Sequence, residues 1–136
     1  MMNVFFVNDT TINLPRTEAL KSLASRVLCQ EGASGNINLI FCTDEYMRSL
    51  NLQFRSKDKT TDVLSFEYGE EDIFGEIYIS PAKAKIQAPE WENTFYQELK
   101  RLVVHGSLHL SGYDHILKKD RLIMEKKEQH YLKLKK

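Results

Sequence analysis

The sequence predicts a single α+β domain over residues 1–136, and three observations carry that expectation. The strand-like segments all lie ahead of residue 81, three helical patterns follow the last of them, and no linker-like shift, repeat or low-complexity tract divides the chain. A regular βαβ alternation would spread its helices between the strands instead. With 42% hydrophobic and 28% charged residues the chain is neither disordered nor collagen-like. A chain of this length buries roughly 68% of its unfolded surface, which suffices for one core.

From the N-terminus, Val4 to Val7 is short, β-branched and aromatic, a strand ahead of the turn-rich Asn8-Asp9-Thr10-Thr11. Thr17 to Glu31 places Leu20, Leu23, Ala24, Val27 and Leu28 at helical spacing, with Gly32 just past the helix end. Asn36 to Cys42 alternates, so that Ile37, Leu39 and Phe41 share one buried face of a strand. Thr43, followed by Asp44 and Glu45, caps a short helix carrying Met47 and Leu50. Asp62 to Glu67 and Gly75 to Ser80 are two further strands, joined as a hairpin by a polar segment; Glu67, Glu70, Glu71 and Asp72 form a solvated acidic loop that would repel RNA.

Ser80-Pro81 opens a short helix, since serine is a good N-cap and proline suits the first helical position. Asn93 to Leu110 is a long helix with Phe95, Leu99, Leu102, Val103 and Leu110 on a wide apolar face. Trp91, Phe95 and Tyr96 at its start read as core and edge packing. Lys118 to Leu134 is a last helix bearing Leu122, Ile123, Tyr131 and Leu134. Its lysines form a solvated face or a nucleic-acid backbone contact, and His130 is expected to be exposed.

Lys+Arg and Asp+Glu number 19 each, so the net charge is zero and bulk charge does not hold the chain to DNA or to an anionic membrane. The first eight residues lack the basic region and apolar stretch of a signal peptide, and no run approaches transmembrane length, which places the protein in the cytoplasm. Cys29 and Cys42, without a CxxC, give neither a disulfide framework nor a thiolate metal motif and are expected as buried free thiols.

Three of the four histidines fall in His105-Gly106-Ser107-Leu108-His109-Leu110-Ser111-Gly112-Tyr113-Asp114-His115. On a helix His105 and His109 differ by about 40° and project from one face. Gly112 can take positive φ and end the helix, so that His115 approaches from another direction. Three neutral imidazoles suit one Zn²⁺ with a position left open for water, the pattern of a catalytic site on a long helix and its following turn. Metzincin proteases share the spacing, but there the residue after the first His is a Glu serving as general base. Here it is Gly106, which cannot move a proton and is expected to admit another backbone or a substrate closely. Asp114 is either a partner to a ligand imidazole or a turn residue. Arg55, Lys57 and Lys59 form a cationic loop suited to phosphate contact, or simply a solvated one.

Together these segments resemble the YbeY family of bacterial single-strand-specific endoribonucleases. His105 to His115 matches the family's HGxLHLxGYDH throughout. Leu50-Asn51, Phe54-Arg55 and Thr61 to Phe66 match its LN pair, aromatic-Arg pair and TDVLSF, and Gly75-Glu76 matches the Gly-acidic start of the next strand. The departures are Phe54 for the usual Tyr, Thr60 for a common Pro, and Glu76 for the usual Asp. The resemblance implies a small mixed sheet packed with helices, one zinc held by His105, His109 and His115, and Arg55 in the family's functional arginine position; Lys57 and Lys59 of the cationic loop are candidate RNA contacts by their charge alone. It also implies maturation of ribosomal RNA, including the 16S 3′ end, ribosome quality control, and ribosomal or ribosome-assembly partners. Two other functions fit the residues: an RNA-binding assembly factor with a structural zinc, and a zinc hydrolase of small substrates.

Overall fold

A computed structural model describes residues 2–68, 73–114 and 116–133. Among these, a four-stranded mixed sheet and five α-helices form the α+β architecture. Strands β1 (Met2–Asn8), β2 (Gly35–Phe41), β3 (Val63–Glu67) and β4 (Gly75–Ile79) lie in the order β1-β2-β4-β3. The β1–β2 and β2–β4 pairs are parallel, whereas β3 runs antiparallel to β4 as the expected hairpin, with β3 at the sheet edge. The acidic residues 70–72 expected in the connecting segment lie outside the described residues.

Helix α1 (Thr17–Gln30) is the crossover between the parallel strands β1 and β2. It buries the five residues expected of it, Leu20, Leu23, Ala24, Val27 and Leu28. Helix α2 (Asp44–Arg55) starts where Thr43 Oγ1 accepts the Tyr46 N–H at 3.2 Å, and it runs three turns, longer than its sparse apolar pattern suggests. Helix α3 (Pro81–Gln87) starts at Ser80, whose Oγ accepts the Lys83 N–H at 3.1 Å and donates to Asp44 Oδ1 at 2.6 Å, joining the starts of two helices. Helix α4 (Phe95–Leu110) begins with a capping box between Thr94 and Gln97, two residues beyond the expected start, and α5 is Lys118–Lys133.

The pleat divides the core between two faces of the sheet. Ile37, Leu39, Phe41, Ile77 and Ile79 face α1, α3 and α4 in the larger cluster, which Met124 and Tyr131 of α5 complete. On the opposite face Leu64, Tyr78 and Cys42 pack with Met47 and Leu50 of α2. Burial, with Asp9 and Asp44 nearby, pushes the Cys42 thiol up to about 12 and leaves it inert. Cys29 corrects the expectation of two buried thiols: it is exposed, because it lies on the solvent side of α1.

The apolar pattern also overstates burial elsewhere. Leu122 and Ile123 are exposed, and the buried residues of α5 are Met124 and Tyr131. Phe95 and Tyr96 pack against the main core, whereas Trp91 is exposed and carries the Arg101 guanidinium 4.4 Å above its ring. His130 is exposed as expected. No helix among the described residues is long and apolar enough to cross a membrane.

Candidate active site

The candidate site lies along the outer edge of β3, between the C-terminal end of α2 and the second half of α4. Arg55, Thr61, Asp62, Val63, Leu64, Ser65, His105 and His109 line a cleft of about 270 Å³ there. The Asp62 C=O accepts the Ser80 N–H, and the Tyr68 N–H donates to the Phe74 C=O. By the antiparallel alternation, the backbone groups of Val63 and Ser65 are therefore turned away from β4, toward the cleft.

His105 and His109 sit one turn apart on α4, with ring centroids 4.8 Å apart. Glu128 of α5 meets His105 Nδ1 at 2.5 Å. A metal at His105 would therefore be taken by Nε2, and a carboxylate on the other nitrogen is the usual partner of a metal-ligating imidazole. Two neighbouring imidazoles, one with a carboxylate behind it, are donors of the kind a zinc site uses. Among the described residues no three His, Cys, Asp or Glu side chains are grouped closely enough to hold a metal, and the third expected ligand, His115, lies outside them. Asp114 takes the turn role, its Oδ1 accepting the Ile116 N–H at 3.1 Å.

Gly106 is explained by packing. A Cβ there would stand 2.7 Å from Ile77 Cγ2, 3.1 Å from Val63 Cγ2 and 3.2 Å from Ser65 Oγ. Side chains of the hairpin fill the space, which corrects the expectation of a backbone or substrate approach. Ser65 Oγ also donates to the Gly106 C=O at 2.8 Å, fixing the edge strand against the histidine helix.

The cationic loop is tethered at its base. Ser56 takes a left-handed φ of 58° to end α2 just after Arg55. The buried Asn51 donates through Nδ2 to the Lys59 C=O at 2.9 Å, and Thr60 Oγ1 donates to the Asp44 C=O at 3.2 Å, so threonine anchors this loop without proline. Arg55 lines the cleft with the histidines, whereas Lys57 and Lys59 are exposed and do not.

Behind the cleft, Asp62 Oδ2 accepts from Gln87 Nε2 at 3.2 Å and lies 4.0 Å from the Arg101 guanidinium. Arg101 is held by Glu98, which is fully buried and accepts at 2.6 Å. Burial alone would raise the Glu98 pKa, but Arg101, Asn93 and Gln87 outweigh it and hold the carboxylate below its ordinary value.

Two further carboxylates, outside the cleft lining, tie neighbouring elements together. Glu31, at the end of α1, accepts from Tyr131 at 2.5 Å, Tyr113 at 2.8 Å and Lys127 at 3.1 Å. Burial pushes its pKa up, and these three donors bring it below the ordinary value. Lys127, its side chain still 39% exposed, thereby helps dock α5, the helix bearing Glu128. Glu76, longer than the family's usual Asp, reaches Asn38 at 2.8 Å and the Tyr68 and Tyr78 hydroxyls at 2.6 Å each. Burial opposes its ionisation, and the three donors more than compensate.

Sequence reasoning placed Arg55, His105 and His109 but missed Glu128 and Glu31. Each is a lone acid whose partners lie 23 or more residues away. The available signals were weak: Glu31 is an acid at a helix end and Glu128 an acid among the lysines of α5.

Comparison with known proteins bears on this arrangement directly. The sequence model of the endoribonuclease YbeY family matches residues 2–135. The chain is 43% identical over 98 residues to endoribonuclease YbeY of Thermotoga maritima, covering 72% of this chain and 65% of that protein. It is 42% identical over 125 residues to endoribonuclease YbeY of Desulforamulus reducens, covering 83% of this chain and 82% of that one. The solution structure of TM1509 from Thermotoga maritima superposes with a TM-score of 0.66 at 35% identity, over 95% of this chain and 86% of that one. Sequence match and shared fold thus extend over the sheet, the histidine helix and the arginine helix alike, and the chain belongs to the YbeY family of endoribonucleases.

Proposed function

We propose that this protein is a zinc-dependent endoribonuclease that cuts single-stranded RNA, with His105, His109 and His115 holding one Zn²⁺ and Arg55 contacting the scissile phosphate. The observation that carries the reading is the shared cleft, in which a guanidinium from α2 and two imidazoles from α4 line one volume. Family membership supports RNA as the substrate class. When bound, zinc supplies a Lewis acid and lowers the pKa of a coordinated water to about 7.

The chain's own residues do the rest. Arg55 offers paired N–H donors to the phosphoryl oxygens, where negative charge grows during cleavage. Glu128 holds the His105 imidazole in one orientation and one tautomer. Lys57 and Lys59, on the exposed loop just after Arg55, attract the flanking phosphates. The setting we assign is cytoplasmic maturation of ribosomal RNA, including the 16S 3′ end, and ribosome quality control, with ribosomal or assembly proteins as partners.

A second reading, an RNA-binding assembly factor with a structural zinc, draws on Gly106, because packing against the hairpin leaves no room for a base beside His105. Incubating the purified chain with a single-stranded ribosomal RNA fragment, with and without chelator, separates the two. Cleavage lost to chelator and restored by Zn²⁺ is expected. Binding without cleavage favours the assembly factor, and chelator-insensitive cleavage overturns the zinc-dependent reading.

A further inference from the structure

A second groove, of about 510 Å³, runs between α2 and the β3–β4 hairpin, on the opposite face of the sheet from α4. Tyr46, Leu50 and Phe54 recur at i, i+4 and i+8, so they form one stripe on α2. Leu50 is buried, yet Tyr46 remains 47% and Phe54 59% exposed. The hairpin answers with Phe66, Tyr68 and Tyr78. The Phe54 and Phe66 ring centroids are 5.2 Å apart, those of Phe66 and Tyr78 5.8 Å, and those of Tyr46 and Tyr78 6.2 Å, so the wall is a continuous run of rings.

Such a wall left in water forgoes burial that a core would have used, which marks it as a surface for a ligand. Two of its rings are tethered: the Tyr68 and Tyr78 hydroxyls both donate to Glu76, so these side chains have less freedom to lose on binding. The groove joins the catalytic cleft: Ser65 lines both, and Phe54 directly precedes Arg55. Gln53 and Glu67 on its rim offer hydrogen-bonding groups suited to the edges of a planar heterocycle.

We propose that this groove is a stacking subsite for an unpaired nucleobase adjoining the phosphate held by Arg55. It rests on the RNA reading above and explains a preference for single strands, because a base locked in a duplex cannot present its face to a protein ring. The π-face of any base fits, so the subsite selects strandedness over sequence.

The test compares a short single-stranded oligoribonucleotide with the same strand carrying abasic sites. Binding to the full chain is read by fluorescence anisotropy before cleavage is detectable on a gel. Phe54→Ala, and separately Tyr46→Ala, should weaken the intact strand about tenfold or more and leave the abasic strand unchanged, while Phe54→Tyr keeps wild-type affinity. Arg55→Ala should weaken both strands alike. Circular dichroism and thermal melting establish that each variant is folded. Equal effects of Phe54→Ala on both strands, or none on either, overturn the subsite while the Arg55 result still supports the RNA reading. If the unsubstituted protein binds neither strand, both readings fall.

Discussion

Glu128 of α5 meets Nδ1 of His105 on α4 at 2.5 Å, across 23 residues of sequence. The contact couples the placement of a C-terminal helix to the orientation of a candidate metal ligand. Glu128→Gln keeps the size of the side chain but removes the charge that favours an Nδ1–H tautomer. Zinc affinity, measured by competition with a chromophoric chelator, should fall about 10- to 100-fold with the fold intact. Unchanged affinity would make the contact a helix-docking bond alone.

Arg55 lines the cleft but contributes nothing to the two core clusters, so its loss should separate chemistry from folding. Arg55→Ala is expected to lower the single-turnover cleavage rate about a hundredfold or more, the range seen when one preorganised charge-stabilising donor is removed. Zinc content and melting temperature should stay as in the unsubstituted protein. A rate within a factor of a few of wild type would remove Arg55 from the reaction.

Gly106→Ala adds a methyl group where Ile77 Cγ2 already stands within 2.7 Å. Ile77 is fully buried and its Cγ2 branches from Cβ, so it cannot swing aside. Overpacking of about 1–3 kcal/mol opposes the ~1 kcal/mol that alanine gains in helix propensity. With the approach this close, urea denaturation should register a net loss of up to about 2 kcal/mol. Because α4 must also move from β3, zinc affinity should decline with it.

Glu31 makes stability depend on acid. Its carboxyl is held below its ordinary value of 4.5, so the folded chain binds that proton more weakly than the unfolded chain does. The stabilisation is complete above 4.5 and is lost as pH falls through the lowered value. Glu31→Gln should cost about 1–3 kcal/mol at neutral pH, since hydrogen bonds to a charge are the strong ones. Below that window the cost should shrink. Unfolding free energies measured from pH 7 to pH 3 check both signs, and a constant difference across the range would exclude the charge as the cause.

Much of the fold was readable because local rules and tertiary structure agree at particular places. The alternation of Ile37, Leu39 and Phe41, the caps at Thr43 and Ser80, and the one-turn spacing of His105 and His109 each depend on neighbours along the chain. The strand order was not readable in this way, because pairing β2 with β4 requires contacts across nearly 40 residues. Cys29 shows the limit of residue-type reasoning, since the helical face decides its exposure and the thiol does not. At Gly106 the sequence pointed to a close approach but to the wrong neighbour, a backbone or a substrate, because the side chains that fill the space, Ile77, Val63 and Ser65, come from two distant strands.

The wedge of space at Gly106 also constrains descent. Positions 77 and 106 share one volume, so neither can change size freely while the other stays fixed. A lineage that acquired alanine at the position of Gly106 would keep α4 seated only by trimming the residue at the position of Ile77. Across related chains the two positions should therefore covary in volume, tying a hydrophobic site in the sheet to the neighbour of a candidate metal ligand.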